Sequence, residues 1–403
     1  MRIIFLNRYF YPDHSATSQI LSDLAFHLAA TGKDIHVVTS RQIIDDPAAQ
    51  LSVSETIRGV QVHRVATTRF GRSNLIGRAL DYLSFYWSMW RRVMSLAGAG
   101  DILVAKTDPS LTSVVAVMAA RRRSAHLINW LQDLYPEIAI ALGVPLLKGP
   151  LSKVIGYFRN RSLRMADANV VVGTAMATRL RACGVAPNQI DVIPNWVNDE
   201  EIVPVPTAEN HLRRDWQLQD KFIVGYSGNL GRAHEFQTLL GAAERLREEK
   251  HIVFVCIGGG KQFDELRHQV QTRNLDQAFR FFPYQERGVL KYSLSVPDAH
   301  WVSLPPNVEG LIFPSKLYGI LAAGRPVIAV TDTDGELANL IRDNQCGYVV
   351  ASGNSDSLYR SILFLANDVD TRTRMAAQAR ATLDAKFARR LALTRWQQLL
   401  ARF

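Results

Sequence analysis

The sequence predicts an α/β protein with two similar halves, each built as a doubly wound parallel sheet. Three observations predict this fold: short apolar strands alternate with segments of helical spacing, the pattern restarts in mid-chain, and prolines mark the restart. Parallel strands need crossover connections, which the intervening helices supply. We predict a first domain at residues 1–197, a linker at 198–220, a second domain at 221–385 and a C-terminal helix at 386–403 that is able to pack back on the first domain.

The first half begins with an apolar run at residues 2–6, followed by a polar loop. A helix is expected at residues 19–30, where Gly32 ends it, and a second strand at 35–38. Further strands are predicted at 102–105, 125–129 and 169–172, with room for a helix between each pair.

The second half repeats this order after Pro194, Pro204 and Pro206, where no periodicity survives. Its predicted elements are a first strand at 222–225, a helix at 235–249, strands at 252–257, 279–282, 299–303, 327–330 and 347–350, and a helical tail from 358. Open α/β sheets bind ligands beyond the carboxyl ends of their strands. We therefore expect the functional residues in the loops that follow strands, and the two halves to face each other across a cleft.

The composition is that of a folded protein with more than one core: 403 residues, 47% apolar and 21% charged. The 47 Lys and Arg residues exceed the 37 Asp and Glu residues, for a net charge of +10, which favours anionic partners. Cys183, Cys256 and Cys346 match no metal or redox spacing, so a reducing compartment is expected. The basic residues accompany no recognised nucleic-acid module, which disfavours a nucleic-acid binder.

No apolar run is long enough to predict a membrane-spanning helix. The nearest candidate, residues 111–120, is closed off by Arg121, Arg122 and Arg123. The apolar part of residues 1–10 is too short for a signal peptide. We expect a cytoplasmic protein.

Two glycine-rich loops follow predicted strands in the second half. Residues 226–232, Tyr-Ser-Gly-Asn-Leu-Gly-Arg, are expected to open a helix and to offer backbone N–H groups to a phosphate, with an ordinary tight turn as the alternative. The dinucleotide and P-loop fingerprints are absent. At residues 258–261, Gly-Gly-Gly-Lys, a turn lining the cleft is favoured over a phosphate site.

The most informative stretch is residues 309–329. Pro314 or Ser315 is expected to begin a helix that Gly324 ends, which puts Lys316 in the first helical turn. A lysine there opposes the helix dipole unless an anion is near, so we expect a bound pyrophosphate; the alternative is a solvated surface lysine.

Neither a metal site nor a nucleophilic triad is predicted. Asp332-Thr-Asp334 has the spacing of a metal-binding pair, but a turn before Gly335 explains both aspartates. No serine, histidine and aspartate arrangement can be assembled from the sequence.

Residues 70–92 mix aromatic and basic side chains at helical spacing, although part of the aromatic content could belong to the core. Together with Lys148, Lys153, Arg159, Arg161 and Arg164, this segment predicts a cationic, aromatic surface suited to a membrane interface.

These residues resemble the retaining glycosyltransferases of family 4, which have the GT-B architecture, and in particular the branch that makes bacterial surface polysaccharides. The resemblance covers the whole chain, through Asn-Arg-Tyr-Phe-Tyr-Pro-Asp at 7–13, Val-Ile-Pro-Asn-Trp-Val at 192–197 and Pro-Ser-Lys-Leu-Tyr-Gly at 314–319. It implies that the second half binds a nucleotide diphosphate sugar and the first half an acceptor, such as a sugar on undecaprenyl diphosphate. It also implies retention of the anomeric configuration, no metal or other cofactor, and contact with the inner face of the plasma membrane.

The resemblance assigns roles to individual positions. It implies donor contacts at Ser227, Gly228, Asn229, Tyr284, Glu309, Pro314 and Ser315, charge stabilisation at Arg232 and Lys316, a polar residue near the transferred sugar at Asp133, and a closing loop with His14, Ala16 and Thr17. The base pocket would lie near Pro283 and Tyr284.

The sequence departs from the family pattern at three positions. Asn229 stands where the family has arginine, His234 where it has lysine, and Gly319 where it has the glutamate that grips the ribose. Arg232 and Lys316 would then supply most of the positive charge. Two alternatives stay open at this point: a nucleotide-sugar 2-epimerase of the same fold, which would need acid and base residues, and a catalytically degenerate scaffold.

Overall fold

The computed structural model describes residues 1–44, 46, 49, 51–70, 75–144, 147 and 149–403. It divides into two α/β units. The first comprises Met1–Pro194, Gly310–Ile312 and Ala392–Phe403, and the second comprises Asn195–Glu309 and Phe313–Leu391. Residues 198–220, expected as a linker, belong to the second unit, where Leu212 and Leu218 pack in a buried cluster with strand residues.

The first unit contains an eight-stranded sheet in the order β3-β4-β2-β1-β5-β6-β7-β8. Its strands are β1 (Arg2–Leu6), β2 (Asp34–Ser40), β3 (Ser54–Ile57), β4 (Val60–Val65), β5 (Ile102–Lys106), β6 (His126–Trp130), β7 (Ala168–Val171) and β8 (Ile190–Val192). Its helices are α1 (Ala16–Ala30), α2 (Leu75–Leu96), α3 (Thr112–Arg123), α4 (Glu137–Ala141), α5 (Pro150–Met165) and α6 (Thr174–Ala182). The predicted strands of this half are confirmed.

Sequence periodicity missed one hairpin and one edge strand in this unit. β3 and β4 pair antiparallel at the sheet edge, and β8 adds a short parallel strand at the other edge. The residues of β3 are exposed or half-buried, so they lack the apolar pattern that marks a strand. Arg58 and Gly59, both with positive φ, form the tight turn between β3 and β4.

Helix α2 shows how the core of this unit forms. Phe85, Met89 and Val93 recur at a four-residue spacing and are at most 1% exposed, packed with strand residues such as Ile4 and Leu103. Burying each of these side chains contributes roughly 2 kcal/mol. Part of the aromatic content of this helix is therefore core.

The second unit contains a six-stranded parallel sheet in the order β11-β10-β9-β12-β13-β14. Its strands are β9 (Phe222–Asn229), β10 (Ile252–Gly259), β11 (Phe279–Phe282), β12 (Ala299–Leu304), β13 (Val327–Thr331) and β14 (Gly347–Ala351). Its helices are α7 (His211–Asp215), α8 (Gln237–Arg245), α9 (Phe263–Thr272), α10 (Leu290–Ser295), α11 (Lys316–Ala322), α12 (Glu336–Asp343), α13 (Ser355–Asn367) and α14 (Val369–Thr382). The order reverses between β9 and β12, the switch point at which such sheets bind ligands.

The expected helical tail is broken into several pieces. α13 and α14 are followed by a π-helical turn at Leu383–Phe387 and by α15 (Arg389–Leu400). Residues 392–403 belong to the first unit, where Trp396 is fully buried and its ring lies 4.6 Å from the ring of Trp130.

Candidate active site

Two glycines bring the ends of β9 and β10 unusually close. Gly228 and Gly258 are register partners with φ of +125° and +130°, a region that favours glycine. A Cβ on Gly258 would lie 2.3 Å from the carbonyl oxygen of Gly228, so no larger residue fits. Close backbone approach at this sheet edge leaves room for a ligand to reach main-chain groups.

The loop after β9 is fastened to the loop after β10. Leu230 donates its N–H to Gly259 O (2.7 Å), and Gln262 donates its N–H to Leu230 O (3.0 Å). The side-chain amide of Gln262, oriented by its partners, donates to Gly231 O and His234 O, both at 2.8 Å. The expectation that this loop runs directly into a helix is wrong, because α8 begins only at Gln237. Arg232 is exposed on the loop.

Lys316 lies beside this glycine loop, at the first position of α11. Its aliphatic chain approaches Gly228, at which a Cβ would lie 3.0 Å from Lys316 Cε. The ammonium lies 5.2 Å from the centroid of the Tyr226 ring. Burial lowers the pKa of Lys316 to about 8. Near neutral pH the ammonium is therefore still positively charged although it is poorly solvated. An anion at this point would interact with it strongly.

His234 contacts the Lys316 ammonium directly. Its Nε2 lies 3.1 Å from Lys316 Nζ, and its Nδ1 lies 3.4 Å from Ser303 Oγ. Ser303 Oγ also accepts the N–H of Glu235 at 3.1 Å. Burial, and secondly the charge of Lys316, lower the pKa of His234 to about 3, so the imidazole is neutral at physiological pH. Position 234, where the family pattern has a lysine, therefore holds a neutral side chain that contacts Lys316.

A pocket of about 380 Å³ adjoins the glycine loop of β10. Its lining residues are Gly258, Gly259, Gly260, Phe263, Asp264, Arg267, Phe281, Phe282 and Pro283. Arg267 lies over the Phe281 ring at 5.1 Å, and Tyr284, 60% exposed, lies next to Gly259. The rings of the three phenylalanines and Pro283, beside the backbone of the three glycines, form surroundings that suit an aromatic base. Pro283, expected near the base, lines this pocket, and Tyr284 stands beside it without lining it.

The other donor residues have distinct places in the second unit. Ser227 pairs with Ile257 in the sheet, and Asn229 lies against Gly260, at which a Cβ would be 2.2 Å from Asn229 Oδ1. Pro314 is buried and accepts the N–H of Leu317, while Ser315 is exposed at the start of α11.

Glu309 bonds to the protein itself, and Gly319 has no side chain with which to hold a ribose. Glu309 accepts the N–H of Glu336 at 2.8 Å and so caps the start of α12. Gly319 lies inside α11, where a Cβ would be 3.3 Å from Leu294 Cδ1. Nearby, Asp332 accepts the N–H of Asp334, as in a tight turn. Among the described residues, no three His, Cys, Asp or Glu side chains gather as metal ligands.

The first-unit candidates lie in the segments that follow β1 and β6, next to Asp108, which follows β5. Asp133 forms a bridge with Ile312 beyond β6, and burial, with a smaller effect of Asp108, raises its pKa to about 7. Thr17 donates to Asp108 Oδ2 at 3.4 Å. Ala16 begins α1, and His14, which is exposed, accepts from Gln19 with its carbonyl.

A buried lysine that was not predicted as a site residue lies beside these residues. Lys106, 1% exposed at the end of β5, donates to Thr17 O at 2.9 Å and lies 3.7 Å from the Trp130 ring centroid. A lysine at the end of an apolar strand was the available signal. The sequence marks His234 only as a departure from the family pattern, because its partner Ser303 is distant in sequence.

The first unit also presents what we call the apolar-cationic face, on α2, α3 and α5. Its exposed apolar side chains are Ile76, Leu80, Leu83, Trp87, Met118, Leu151, Val154, Tyr157 and Phe158. Exposed cations on α2 and α5 are Arg78, Arg91, Lys153, Arg161 and Arg164, of which Arg164 donates to Cys183 O at 3.3 Å. α3 contacts both α2 and α5, so the three helices are neighbours.

Two of the expected surface cations are engaged elsewhere. Arg159 is 3% exposed and paired with Glu137, so its assignment to a cationic surface was wrong. Arg92 donates to His63 Nδ1 at 2.7 Å. Residues 71–74 and Lys148, also expected at this surface, lie outside the described residues. No helix in the described ranges has the length and apolar character to span a membrane.

Two family profiles match the chain in succession. The profile described as a glycosyl transferase 4-like domain matches residues 16–196, and that described as glycosyl transferases group 1 matches residues 209–382. The chain belongs to the group 1 glycosyltransferases. The epimerase alternative finds no support in this match.

Individual relatives agree with this family. The glycosyltransferase is 25% identical over 299 residues, 73% of its chain, to the probable glycosyltransferase WbjE of Pseudomonas aeruginosa, of which the match covers 74%. It is 24% identical to a GDP-mannose-dependent alpha-mannosyltransferase of Mycobacterium tuberculosis, over 95% of its own length and 92% of the relative. The structure of Anabaena HepE in complex with UDP-glucose matches all of both chains, with a TM-score of 0.75 and 16% identity. The fold is therefore GT-B, as the sequence predicted.

Proposed function

We propose that this glycosyltransferase moves a sugar from a nucleotide diphosphate sugar to a lipid-linked or oligosaccharide acceptor of a cell-surface polysaccharide, with retention and without a metal. The observation that carries the proposal is the cradle formed by Lys316 and the glycine loop at 228–231. It combines a poorly solvated cation, exposed backbone and an adjoining pocket for a base. These are the features that a nucleoside diphosphate requires.

The chemistry follows from where negative charge grows. As the bond between the anomeric carbon and the β-phosphate oxygen breaks, the leaving diphosphate gains charge, and Lys316 is placed to stabilise it. The acceptor hydroxyl attacks from the same face, its oxygen bonds to the anomeric carbon, and its proton passes to a diphosphate oxygen. Arg232, exposed on the loop, is proposed to fold onto the diphosphate.

The remaining donor contacts are assigned by position. Main-chain groups of Gly228 and Asn229 would contact phosphate oxygens, and the Ser315 hydroxyl would donate to one of them. Pro283 and Tyr284 would contact the base in the pocket of about 380 Å³. Structural neighbours crystallised with UDP and UDP-glucose support a nucleotide-sugar donor.

The acceptor side is proposed to work at the inner surface of the plasma membrane. On α2, Ile76, Leu80, Leu83 and Trp87 recur at spacings of four and three, so they form one stripe on the helix. Arg91, four residues after Trp87, lies beside this stripe and suits anionic headgroups, whereas Arg78, two residues after Ile76, lies on the opposite side of the helix. A membrane-bound enzyme would reach an undecaprenyl diphosphate-linked sugar directly. Asp133, His14, Ala16 and Thr17 are proposed to serve the acceptor side.

The test is transfer by the purified full-length chain. A panel of UDP-, GDP-, ADP- and dTDP-sugars is first screened for thermal stabilisation, because a ligand that binds only the folded state raises the melting point. The stabilising donor is then incubated with an undecaprenyl diphosphate-linked sugar, with and without EDTA. We expect a product with the donor's anomeric configuration and an unchanged rate in EDTA. Conversion of the donor without acceptor would instead indicate an epimerase, and absence of nucleotide binding a scaffold.

A further inference from the structure

We infer that His234 is the positioning residue for Lys316: a neutral imidazole that accepts one ammonium N–H and fixes the direction of the charge. This inference rests on the proposed function, since it concerns the cation of the diphosphate cradle. It gives a role to a position at which the family pattern predicts a second lysine.

The hydrogen-bond pattern determines the tautomer of His234. A charged ammonium has only donors, so His234 Nε2, 3.1 Å from Lys316 Nζ, must be the acceptor. The proton of the neutral ring then lies on Nδ1, where it points to Ser303 Oγ at 3.4 Å. Ser303 is itself held by the N–H of Glu235 at 3.1 Å. These contacts connect Ser303 on β12 to His234 in the loop, and His234 to Lys316 on α11. Together they orient the Lys316 ammonium.

The surroundings make this arrangement specific for a neutral partner. The titratable groups that face the pair are Tyr226 on β9, whose ring lies 5.7 Å from the His234 ring, and Glu235, whose carboxylate accepts the N–H of Thr238. Cys256 on β10 lies next to Tyr226, and burial raises its pKa to about 12. A second cation at His234 would face Lys316 at 3.1 Å in a poorly solvated place, which is costly.

The pair predicts an alkaline limit of activity. The Lys316 ammonium, whose pKa burial lowers to about 8, is charged below that pH and loses its charge as the pH rises through it. His234, with a pKa of about 3, stays neutral across the range of an assay. A bound diphosphate favours the charged lysine, so the limit should lie higher in the pH profile of kcat than in that of kcat/KM.

The test compares His234→Gln, which keeps an uncharged acceptor, with His234→Leu, which removes it. With the full-length chain and the stabilising nucleotide sugar, kcat and kcat/KM are measured from pH 6 to 10. We expect His234→Leu to lower kcat about tenfold, as for loss of one orienting hydrogen bond, and to move the alkaline limit to lower pH. His234→Gln should restore most of both. Histidine-selective ¹⁵N NMR, with His234 assigned from the variant, should show the proton on Nδ1.

The outcomes separate this inference from the proposed function. If Lys316→Ala abolishes transfer while folded His234→Leu keeps the parent's kcat and alkaline limit, the positioning role is refuted and the cradle stands. A proton found on Nε2 would also refute it. If neither variant affects transfer, the cradle itself is wrong. If the chain transfers no sugar but His234 shows the Nδ1 proton, the proposed function fails while the paired geometry stands.

Discussion

The two α/β units share one strand order at the centre of their sheets but use their loops differently. In the second unit, the loops after β9 and β10 are held by backbone hydrogen bonds, and Gly228, Gly258 and Gly260 all have φ near +125°. In the first unit, the loop after β1 also makes backbone hydrogen bonds, such as Arg8 N–H to Asp108 O at 2.6 Å, but it adds a carboxylate: Asp13 accepts the N–H groups of Ser15 and Ile44. The loop after β1 thus contains a buried carboxylate, whereas glycines with positive φ stand at the ends of β9 and β10.

Under the proposed function, this difference favours the second unit as the one that stabilises the leaving group. A diphosphate needs N–H groups and a cation at short range, and a carboxylate there would repel it. The second unit provides glycines and Lys316, while in the first unit Asp108 and Asp133 follow β5 and β6, beside the buried Lys106.

The largest expected effect is at Lys316. Lys316→Ala should slow transfer by about a hundredfold, roughly 2.7 kcal/mol, because one preorganised partner of a developing anion is removed. Single-turnover rates with saturating donor measure this directly. Lys250→Ala, at an exposed lysine before β10, is the matched control and should leave the rate unchanged. A folded Lys316→Ala enzyme with the parent's rate would remove the distinction between the two units.

The fold was predictable where the pattern is apolar. All the predicted strands exist because parallel strands buried on both faces read as continuous apolar runs. The β3 hairpin was not predictable, since Ser54, Glu55 and Thr56 are exposed and strand pairing alone defines them. The ends of α8 also differ from the predicted helix at 235–249. Glu235 lies before the helix and accepts the N–H of Thr238, although the sequence pattern places it inside.

The candidate site was predictable only in its local part. The Pro-Ser-Lys sequence places Lys316 at the start of a helix, and the glycines mark the close strand ends. The partnership of Lys316 with His234 joins residues 82 positions apart, and no periodicity encodes it. For the same reason, the sequence does not reveal that Arg159 is buried and paired with Glu137, 22 residues away in the chain.

A smaller effect is expected from a substitution at Gly258, which lies close to the backbone of Gly228. Gly258→Ala should destabilise the second unit by about 2 kcal/mol, because the new Cβ meets Gly228 O at 2.3 Å and φ is positive. Thermal melting should shift by several degrees, and nucleotide binding should weaken with it. Gly288→Ala, in the same unit but outside the cradle, is the control, since its Cβ would find no atom within 4 Å. Equal melting points for the two variants would show that close approach of β9 and β10 is not required.

The smallest effect tests the first unit alone. Arg91→Glu combined with Lys153→Glu should weaken binding to vesicles containing anionic lipid by about tenfold, and more at low salt, because both side chains are exposed on the apolar-cationic face. Arg91 is changed and Arg92 is not, since Arg92 already bonds His63.

The charge-matched control is Arg214→Glu with Lys250→Glu, two exposed cations of the second unit. If both double variants lose binding equally, net charge rather than this face attracts the membrane, and the two units would not differ in this respect. Retained transfer to a water-soluble acceptor by the Arg91 and Lys153 variant would show that the face serves location and not chemistry.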